Sequence, residues 1–249
     1  MPKVRLDQAL VERGLCPSRE KAKRAILAGQ VRAGGQLVCK PGGLVQPDDP
    51  LTLAAPERYV SRGGYKLEHG LRLFGLAVAG VTAIDLGAST GGFTDCLLQQ
   101  GAARVYAVDV GRGQLMWKLR RDPRVIVMEH TNARFLTRRD FPPDFAGAGL
   151  IVADCSFISL QKILPSAVAL LARDGRILAL VKPQFEAGKA EASRGKGVIR
   201  DPAIHARVLN ELKTFATDTA GLRWAGETAS PLLGPAGNKE FLVLLEKKT

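Results

Sequence analysis

Short apolar runs and stretches of helical spacing alternate along most of the chain. From residue 81 onward, short segments rich in apolar residues are followed by segments in which apolar residues recur every three or four positions. The apolar runs predict strands at 81–86, 104–110, 124–129, 150–154, 177–181, 222–228 and 240–246. The helical spacing predicts helices near 91–101, 114–121, 159–172 and 202–219. Strands that alternate with helices pair in parallel through right-handed crossovers.

The last two predicted strands differ from the others because no helix separates them. Only residues 231–238, which are rich in glycine and proline, connect them. We therefore expect an antiparallel hairpin at the end of an otherwise parallel sheet. The pattern predicts an α/β fold with a seven-stranded mixed sheet whose last strand is antiparallel.

The N-terminal part follows a different pattern. Helical spacing before Gly14 and again over 19–27, where Ser18 provides an N-cap, predicts two short helices, and brief strands follow. Helical spacing resumes at Lys66 and continues to Leu76. We predict a small α+β domain over 1–58, a linker over 59–65 and a larger domain over 66–249.

The charge indicates a polyanionic partner. The chain has a formal charge of +12, which favours nucleic acid over an anionic membrane surface. There is no 18-residue apolar run and no signal-type segment at the N-terminus, so we expect no membrane span and a cytoplasmic location. The four cysteines are scattered, which argues against a disulfide framework and against a metal site.

A glycine-rich loop over residues 85–93 follows the first strand of the larger domain. Doubly wound folds bind nucleotide-like ligands where a buried strand leads into such a loop and then a helix. Ser89 stands where a dinucleotide fingerprint needs its second glycine, and Asp109 follows about 20 residues later, where an acid can accept ribose hydroxyls. S-adenosylmethionine, which has a ribose and no pyrophosphate, fits this pattern better than a dinucleotide. A plain tight turn is the alternative.

The cofactor contacts predicted from these patterns lie in the loop and after the neighbouring strands. Asn132 follows the third strand and can receive the adenine amino group, or it is an ordinary loop amide. Phe157 can wall the cofactor pocket, or it packs in the core. The predicted contacts are Asp85, Gly87, Ala88, Ser89, Gly91, Gly92, Phe93, Asp109, Asn132 and Phe157.

Two lysines and two acids lie at predicted element ends around the glycine loop. Asp154 closes the fourth strand, Lys182 closes the fifth, Glu240 opens the last, and Lys66 lies on the helix before the sheet. Carboxyl ends of parallel strands share one sheet edge, so we expect the four side chains to converge. A lysine can take a proton from a ribose hydroxyl when burial or a second cation disfavours its ammonium form. Each charge taken alone could instead be an ordinary surface charge.

Other chemistry is less well supported near these strand ends. Cys155 stands where a thiolate for carbon-5 methylation of pyrimidines could lie, but no neighbour evident in the sequence activates it, which favours a small core residue. Exocyclic-amine methylation usually requires two prolines after the fourth strand, and residues 154–157 contain none. Glu186 is a second candidate acid. It ranks below Glu240 because it precedes the stretch 188–197, which we predict to be a lid or an RNA-contacting loop.

With both parts considered, the chain resembles the TlyA family, whose members are also called hemolysin A. These proteins join an S4 RNA-binding domain to an FtsJ-like methyltransferase. Residues 5–31 look like the S4 pattern. The blocks that resemble the family's methyltransferase are residues 61–67, 87–94, 109–111, 154–160, 182–186 and 237–240.

The resemblance implies a Rossmann-like class I S-adenosylmethionine-dependent methyltransferase with a small N-terminal α+β S4 domain. It implies that the family's catalytic Lys-Asp-Lys-Glu tetrad corresponds to Lys66, Asp154, Lys182 and Glu240. The matching blocks also add Val110 to the cofactor contacts. The residues that we expect to bind RNA are Arg5, Arg19, Lys21, Lys23, Arg24 and Arg32 in the S4-like part and Arg62 after it.

The family's activity is 2′-O-methylation of cytidine in ribosomal RNA, within ribosomal subunits or the assembled ribosome. The position of Thr249 just past the last strand resembles the family's short form, which implies large-subunit 23S rRNA, with small-subunit 16S rRNA as a second possibility. Two other classes remain open from the sequence. One is an RNA-binding ribosome assembly factor with a relic cofactor fold, and the other is a membrane-active hemolysin.

Overall fold

A computed structural model describes residues 2–54 and 57–248 of the chain. It divides into two compact units, Met1–Arg58 and Tyr59–Thr249. Within the described residues, no helix has the length and the apolar character needed to cross a membrane.

The first unit packs two helices against short strands. Strand β2 lies between β3 and β5, and β1 pairs with β4. The β1–β4 pair was not predicted, because two-residue strands carry no periodicity. Ser18 caps the second helix by accepting from the Lys21 amide, as predicted. The elements are β1 (Val4–Arg5), α1 (Leu6–Glu12), α2 (Arg19–Leu27), β2 (Val31–Ala33), β3 (Gln36–Leu37), β4 (Leu44–Val45) and β5 (Leu51–Leu53).

A buried carboxylate joins α1 and α2 in this unit. Asp7 is fully buried, and its two oxygens accept from Arg5 at 3.0 and 3.1 Å and from Arg19 at 3.1 Å. Hydrogen bonding from Arg5, followed by that from Arg19, outweighs burial and lowers the pKa of Asp7 to about 2. Its contribution to stability is therefore complete above its unfolded pKa near 4 and is lost as the pH falls toward about 2.

We expect Asp7→Asn to destabilise the first unit. The substitution removes the charge that holds both guanidinium groups, and a buried charge-assisted hydrogen bond contributes about 1–3 kcal/mol, at the lower end here because both arginines are half exposed. Hydrogen exchange of amides in α1 and α2 measures the loss. Glu20→Gln, in the exposed pair with Arg24, is the matched control and should change little. Equal protection in both variants would contradict the assignment.

The second unit is a seven-stranded sheet with helices on both faces. The strand order is β11-β12-β10-β9-β6-β7-β8, and β12 is antiparallel to both of its neighbours. This confirms the mixed sheet predicted from the sequence. The strands are β6 (Thr82–Leu86), β7 (Arg104–Val108), β8 (Val125–Met128), β9 (Ala148–Ala153), β10 (Leu171–Val181), β11 (Leu222–Ala229) and β12 (Phe241–Lys247). The helices are α3 (Gly63–Leu73), α4 (Gly92–Gln99), α5 (Trp117–Arg120), α6 (Leu164–Leu170), α7 (Pro183–Glu186), α8 (Lys189–Arg194) and α9 (Pro202–Thr214).

Side chains of each strand alternate between two apolar cores. Ile84 and Leu86 pack on the face covered by α6 and α9, whereas Ala83 packs on the face covered by α3 and α4. Asp85 therefore points toward α4. The strand order reverses at β6, which lies between β7 and β9. Doubly wound sheets open a crevice for ligands at such a point.

Helix α3 begins earlier than predicted. It starts at Gly63, three residues before Lys66, and Tyr59 is buried in the same core as the helix. A Cβ at Gly64 would lie 2.2 Å from the Tyr59 ring, so the glycine allows the ring to pack against the helix. The predicted linker over 59–65 therefore contains packed residues and the first turn of α3, and the predicted start at Lys66 is wrong.

Three other boundaries differ from the predictions. Leu171, predicted to be helical, opens β10 because it pairs with Ala148 of β9. Helix α5 is shorter than predicted, since the Met116 amide donates to Thr90 in the glycine loop. The predicted helix over 202–219 ends as an α-helix at Thr214 and continues as a π-helix over Phe215–Thr219. Part of the predicted lid, 188–197, is helical as α8.

Candidate active site

The four tetrad residues line one cavity of about 440 Å³ at the carboxyl edge of the sheet. Asp154 directly follows β9, Lys182 directly follows β10, and Glu240 directly precedes the antiparallel β12. Lys66 reaches the same edge from α3. The structure thus brings together four side chains that are as far apart as 174 positions in sequence.

Lys66 and Glu240 form a buried ion pair. The Lys66 Nζ lies 2.5 Å from Glu240 Oε2, and the side chains are 7% and 1% exposed. Gly70, one turn after Lys66, faces the sheet so closely that a Cβ there would lie 3.0 Å from Leu178 and 3.2 Å from Leu242. Residues four apart share a helix face, so this close packing directs Lys66 toward the beginning of β12.

Lys182 and Asp154 form the second ion pair. The Lys182 Nζ lies 2.6 Å from Asp154 Oδ1 and donates to Ser156 Oγ at 2.9 Å. Both charged side chains are more exposed to the cavity than the Lys66–Glu240 pair. The site therefore has two cation–carboxylate pairs that line the same cavity, of which the Lys66–Glu240 pair is the more deeply buried.

A second cavity of about 510 Å³ adjoins the first. Gly87, Ser89, Asp154 and Ser156 line both. A Cβ at Gly87 would lie 3.0 Å from the Asp154 carbonyl oxygen, and Gly87 has φ +84°, so the loop requires glycine here for both space and conformation. The volume falls within the range of about 300–1,000 Å³ that is typical of small-ligand pockets.

The residues predicted after β7 and β8 line this second cavity. The Asp109 carboxylate accepts from the Ser89 amide at 2.8 Å and from the Gly111 amide at 2.7 Å, which fixes it at the cavity wall. Asn132 Oδ1 accepts from the Arg134 amide at 3.0 Å. Val110 also lines the cavity. A carboxylate oxygen can accept further hydrogen bonds, so Asp109 keeps the capacity to accept ribose hydroxyls.

Phe157 lines the second cavity and is 90% exposed. Its ring lies 5.0 Å from that of Phe185. The alternative of core packing is therefore wrong, and a role of Phe157 at the wall of a cofactor pocket stays a prediction.

Two predicted cofactor contacts line neither of these cavities. Asp85 is fully buried beneath the loop, where its Oδ2 accepts from Thr94 at 2.6 Å. Burial raises the pKa of Asp85 to about 7. Gly91 has φ +97°, and a Cβ there would lie 2.3 Å from Leu119, so it serves the turn into α4. The other loop residues predicted to contact the cofactor line one or both cavities, and they are Gly87, Ala88, Ser89, Gly92 and Phe93.

Cys155 lies at the wall of the second cavity, with its Sγ 3.3 Å from the Leu86 carbonyl oxygen. Burial, with a smaller effect of Asp154, raises the pKa of Cys155 to about 12. The thiolate needed for carbon-5 methylation is therefore disfavoured at neutral pH.

We expect Cys155→Ala to keep methyl transfer within about twofold of the unchanged chain, since a protonated thiol contributes no nucleophile. Initial rates with saturating methyl donor measure this, and Cys39→Ala, at an exposed position, is the matched control. Loss of turnover in a folded Cys155→Ala variant would support carbon-5 methylation with Cys155 as the nucleophile.

Glu186 stabilises a loop. It accepts from Ser159 Oγ at 2.6 Å and from the Leu160 amide at 2.8 Å, and burial raises its pKa. These contacts hold the segment after β9 in place.

The predicted RNA-binding residues are all exposed, but most are engaged within the chain. Arg5 and Arg19 pair with Asp7, Arg24 pairs with Glu20, and Arg32 donates to the Gly35 carbonyl. Lys21 and Lys23 on α2 are exposed, whereas Ala22 and Ile26 of the same helix are buried. Arg62 lines the tetrad cavity. The RNA contacts of these side chains remain predictions.

Sequence reasoning missed several residues of the site. Ser156 bonds Lys182 and lines both cavities, while Ser61 and Pro235 line the tetrad cavity. The signal available for Ser156 was its place two residues after Asp154 at a strand end. Within residues 2–54 and 57–248, no group of three or more His, Cys, Asp or Glu side chains could hold a metal ion.

The sheet order, the glycine loop and the two edge cavities are those of a class I methyltransferase. The FtsJ-like methyltransferase family model matches residues 59–247, and the S4 domain model matches residues 4–51. The chain belongs to the TlyA family of FtsJ-like methyltransferases that carry an S4 domain. This confirms the resemblance predicted from the sequence.

Relatives match nearly the whole chain. YqxC of Bacillus subtilis, a proposed rRNA methyltransferase, is 51% identical over 98% of this chain and 85% of its own length. The 16S/23S rRNA (cytidine-2′-O)-methyltransferase TlyA of Mycobacterium tuberculosis is 47% identical over 99% of this chain and 91% of its own. A solved structure of a proposed hemolysin from Streptococcus thermophilus is 46% identical to this chain, with a TM-score of 0.75. The match covers 100% of this chain and 90% of the chain in that structure.

Proposed function

We propose that this chain transfers a methyl group from S-adenosylmethionine to the 2′-hydroxyl of cytidine in ribosomal RNA. One observation carries the proposal: Lys66, Asp154, Lys182 and Glu240 line a single cavity as two ion pairs, beside a second cavity of nucleoside size. The name of the M. tuberculosis relative gives the same reaction for that protein, which supports the choice of acceptor.

The second cavity fits the cofactor. Gly87 allows close approach to the loop, Asp109 offers a fixed carboxylate for ribose hydroxyls, and Asn132 offers its side-chain amide to an adenine edge. Phe157 would form part of the wall. S-adenosylmethionine supplies a methyl group on a positively charged sulfur that is open to in-line attack.

The tetrad would activate the acceptor hydroxyl. Lys182 faces the cavity and takes the proton of the 2′-hydroxyl when its amine is neutral. The resulting ammonium is stabilised by Asp154 at 2.6 Å and Ser156 at 2.9 Å. Lys66, held by Glu240, provides a fixed positive charge in the same cavity that would attract the developing oxyanion.

The RNA contacts would lie on the S4 domain and beside the cavity. Lys21 and Lys23 on α2 are exposed and suited to phosphates, and Arg62 lies at the mouth of the tetrad cavity. We propose 23S rRNA of the large subunit as the main substrate and 16S rRNA as a second one. The substrate particle would be a subunit or the assembled ribosome, in the cytoplasm.

Methyl incorporation on separated particles tests the proposal. Purified 50S, 30S and 70S particles that lack the modification are incubated with labelled S-adenosylmethionine and either the unchanged chain or Lys182→Ala. We expect incorporation into 50S that depends on Lys182. RNA binding without transfer to any particle would favour the relic assembly factor. Leakage of liposomes without transfer would favour the hemolysin.

A further inference from the structure

A tight turn over residues 234–238 lies directly before Glu240. The Gly234 amide donates to the Asn238 carbonyl at 2.9 Å, and the Gly237 amide donates back to Gly234 at 2.9 Å. The Glu240 carbonyl accepts from the Ser230 amide at 2.8 Å, which closes the loop between β11 and β12. The backbone on both sides of Glu240 is thus fixed by hydrogen bonds.

Gly234 lies against the Glu240 carboxylate. A Cβ at this position would be 2.4 Å from Glu240 Oε1, which is closer than any real contact. Gly234 is buried, and its φ is not in the left-handed region, so the glycine is needed for space and not for conformation. Any side chain here would displace the carboxylate that holds Lys66.

Asn238 ties this turn to another segment of the chain. Its side chain is buried, Oδ1 accepts from the Ile199 amide at 2.9 Å, and Nδ2 donates to the Gly197 carbonyl at 2.9 Å. The Ile199 carbonyl in turn lies 3.0 Å from His205 Nε2 on α9. One amide side chain therefore fixes the turn through both an acceptor and a donor, which no shorter or apolar side chain could do.

We propose that Gly234 and Asn238 are positioning residues for Glu240. Gly234 leaves the space that the Glu240 carboxylate occupies opposite Lys66. Asn238 holds the turn in place through its hydrogen bonds to residues 197 and 199. This inference rests on the proposed role of the tetrad. It gives residues 197 and 199 a function in fixing Glu240, and the first of them lies in the stretch 188–197 that the sequence predicts to be a lid or an RNA-contacting loop.

Gly234→Ala is the first test. Because a displacement of about 1 Å in a catalytic constellation can cost 10²-fold, we expect kcat to fall by about 10- to 100-fold. The KM for the ribosomal particle and the Kd for S-adenosylmethionine should stay within about twofold, since neither contact is changed. Gly149→Ala is the matched control. It lies near the start of β9, is exposed, has no left-handed φ and lines neither cavity. A Cβ there would lie 3.1 Å from a Val81 methyl group, which can shift, so this variant should keep full activity.

A double-mutant cycle separates positioning from general damage. Glu240→Asp retracts the carboxylate from Gly234, so Gly234→Ala on that background should lower kcat by no more than about twofold. If Gly234→Ala lowers kcat by the same factor on the Glu240→Asp background as in the otherwise unchanged chain, the two positions are independent, and that result would overturn the proposal. Asn238→Ala removes both side-chain hydrogen bonds and should also lower kcat more than it raises the KM for the ribosomal particle. This variant provides the test if Gly234→Ala does not fold.

Two failures are distinguishable. If Glu240→Gln keeps full activity, the proposed function of the tetrad is wrong. If Glu240→Gln is inactive while folded Gly234→Ala and Asn238→Ala keep the kcat of the unchanged chain, only the positioning inference is wrong.

Discussion

Lys182→Ala should abolish methyl transfer and leave the binding of S-adenosylmethionine intact. A general base typically contributes 10²–10⁴-fold to a rate, so we expect kcat to fall by about 10³-fold. The Lys182 side chain lines the tetrad cavity and not the second cavity, whose lining includes Asp109, Asn132, Gly87 and Ser89. The cofactor Kd should therefore change by no more than about twofold.

Calorimetry measures cofactor binding, and incorporation of labelled methyl groups measures transfer. Lys213→Ala is the matched control, because it removes an exposed lysine on α9 that lines neither of the two cavities. Full activity in Lys182→Ala would remove this residue from the mechanism. Loss of cofactor binding in parallel with transfer would mean that Lys182 supports the pocket rather than the proton transfer.

The second large effect is expected at the buried ion pair. Glu240→Ala leaves the Lys66 ammonium buried without a partner, and breaking a buried pair in this way costs about 3–5 kcal/mol. Replacing both residues, as in Lys66→Met with Glu240→Leu, removes both charges and should recover most of that free energy of unfolding. Neither variant should transfer methyl groups, because the positive charge of Lys66 in the tetrad cavity is misplaced in Glu240→Ala and absent in the double variant.

Chemical denaturation of the full chain gives the free energies, and methyl incorporation gives the activities. A double variant that is stable and inactive would assign the pair a role in the reaction. A double variant that is both stable and fully active would show that Lys66 and Glu240 serve only the fold. Asp7→Asn provides a comparison, since it removes a buried carboxylate from the other unit.

The sheet edge of the site could be predicted from the sequence, because apolar runs mark strand ends. Asp154 and Lys182 directly follow parallel strands, and Glu240 directly precedes the antiparallel last strand, so the predicted mixed topology brings all three to one edge. The pairing of Lys66 with Glu240 could not be predicted. It depends on how closely α3 approaches the sheet at Gly70, which is a property of packing and not of periodicity.

The features that sequence reasoning missed are those fixed by local contacts. Asp85 looks like a ligand in a glycine-loop pattern, but the strand alternation turns it into the core beside Thr94. Ser156 became evident only from its bond to Lys182. The turn at Gly234 and the bonds of Asn238 depend on segments 39 and 41 positions apart, and no spacing rule connects such segments.

The central claim is that two lysines and two carboxylates at one sheet edge direct a methyl group to a ribose oxygen. The most direct test is to map the group after reaction with a deuterated methyl donor, by nuclease digestion of the rRNA and mass spectrometry of the nucleosides. We expect the label on the 2′-oxygen of a cytidine with the unchanged chain and no label with Lys182→Ala. Label on the cytosine ring, or no label on any nucleoside, would contradict it.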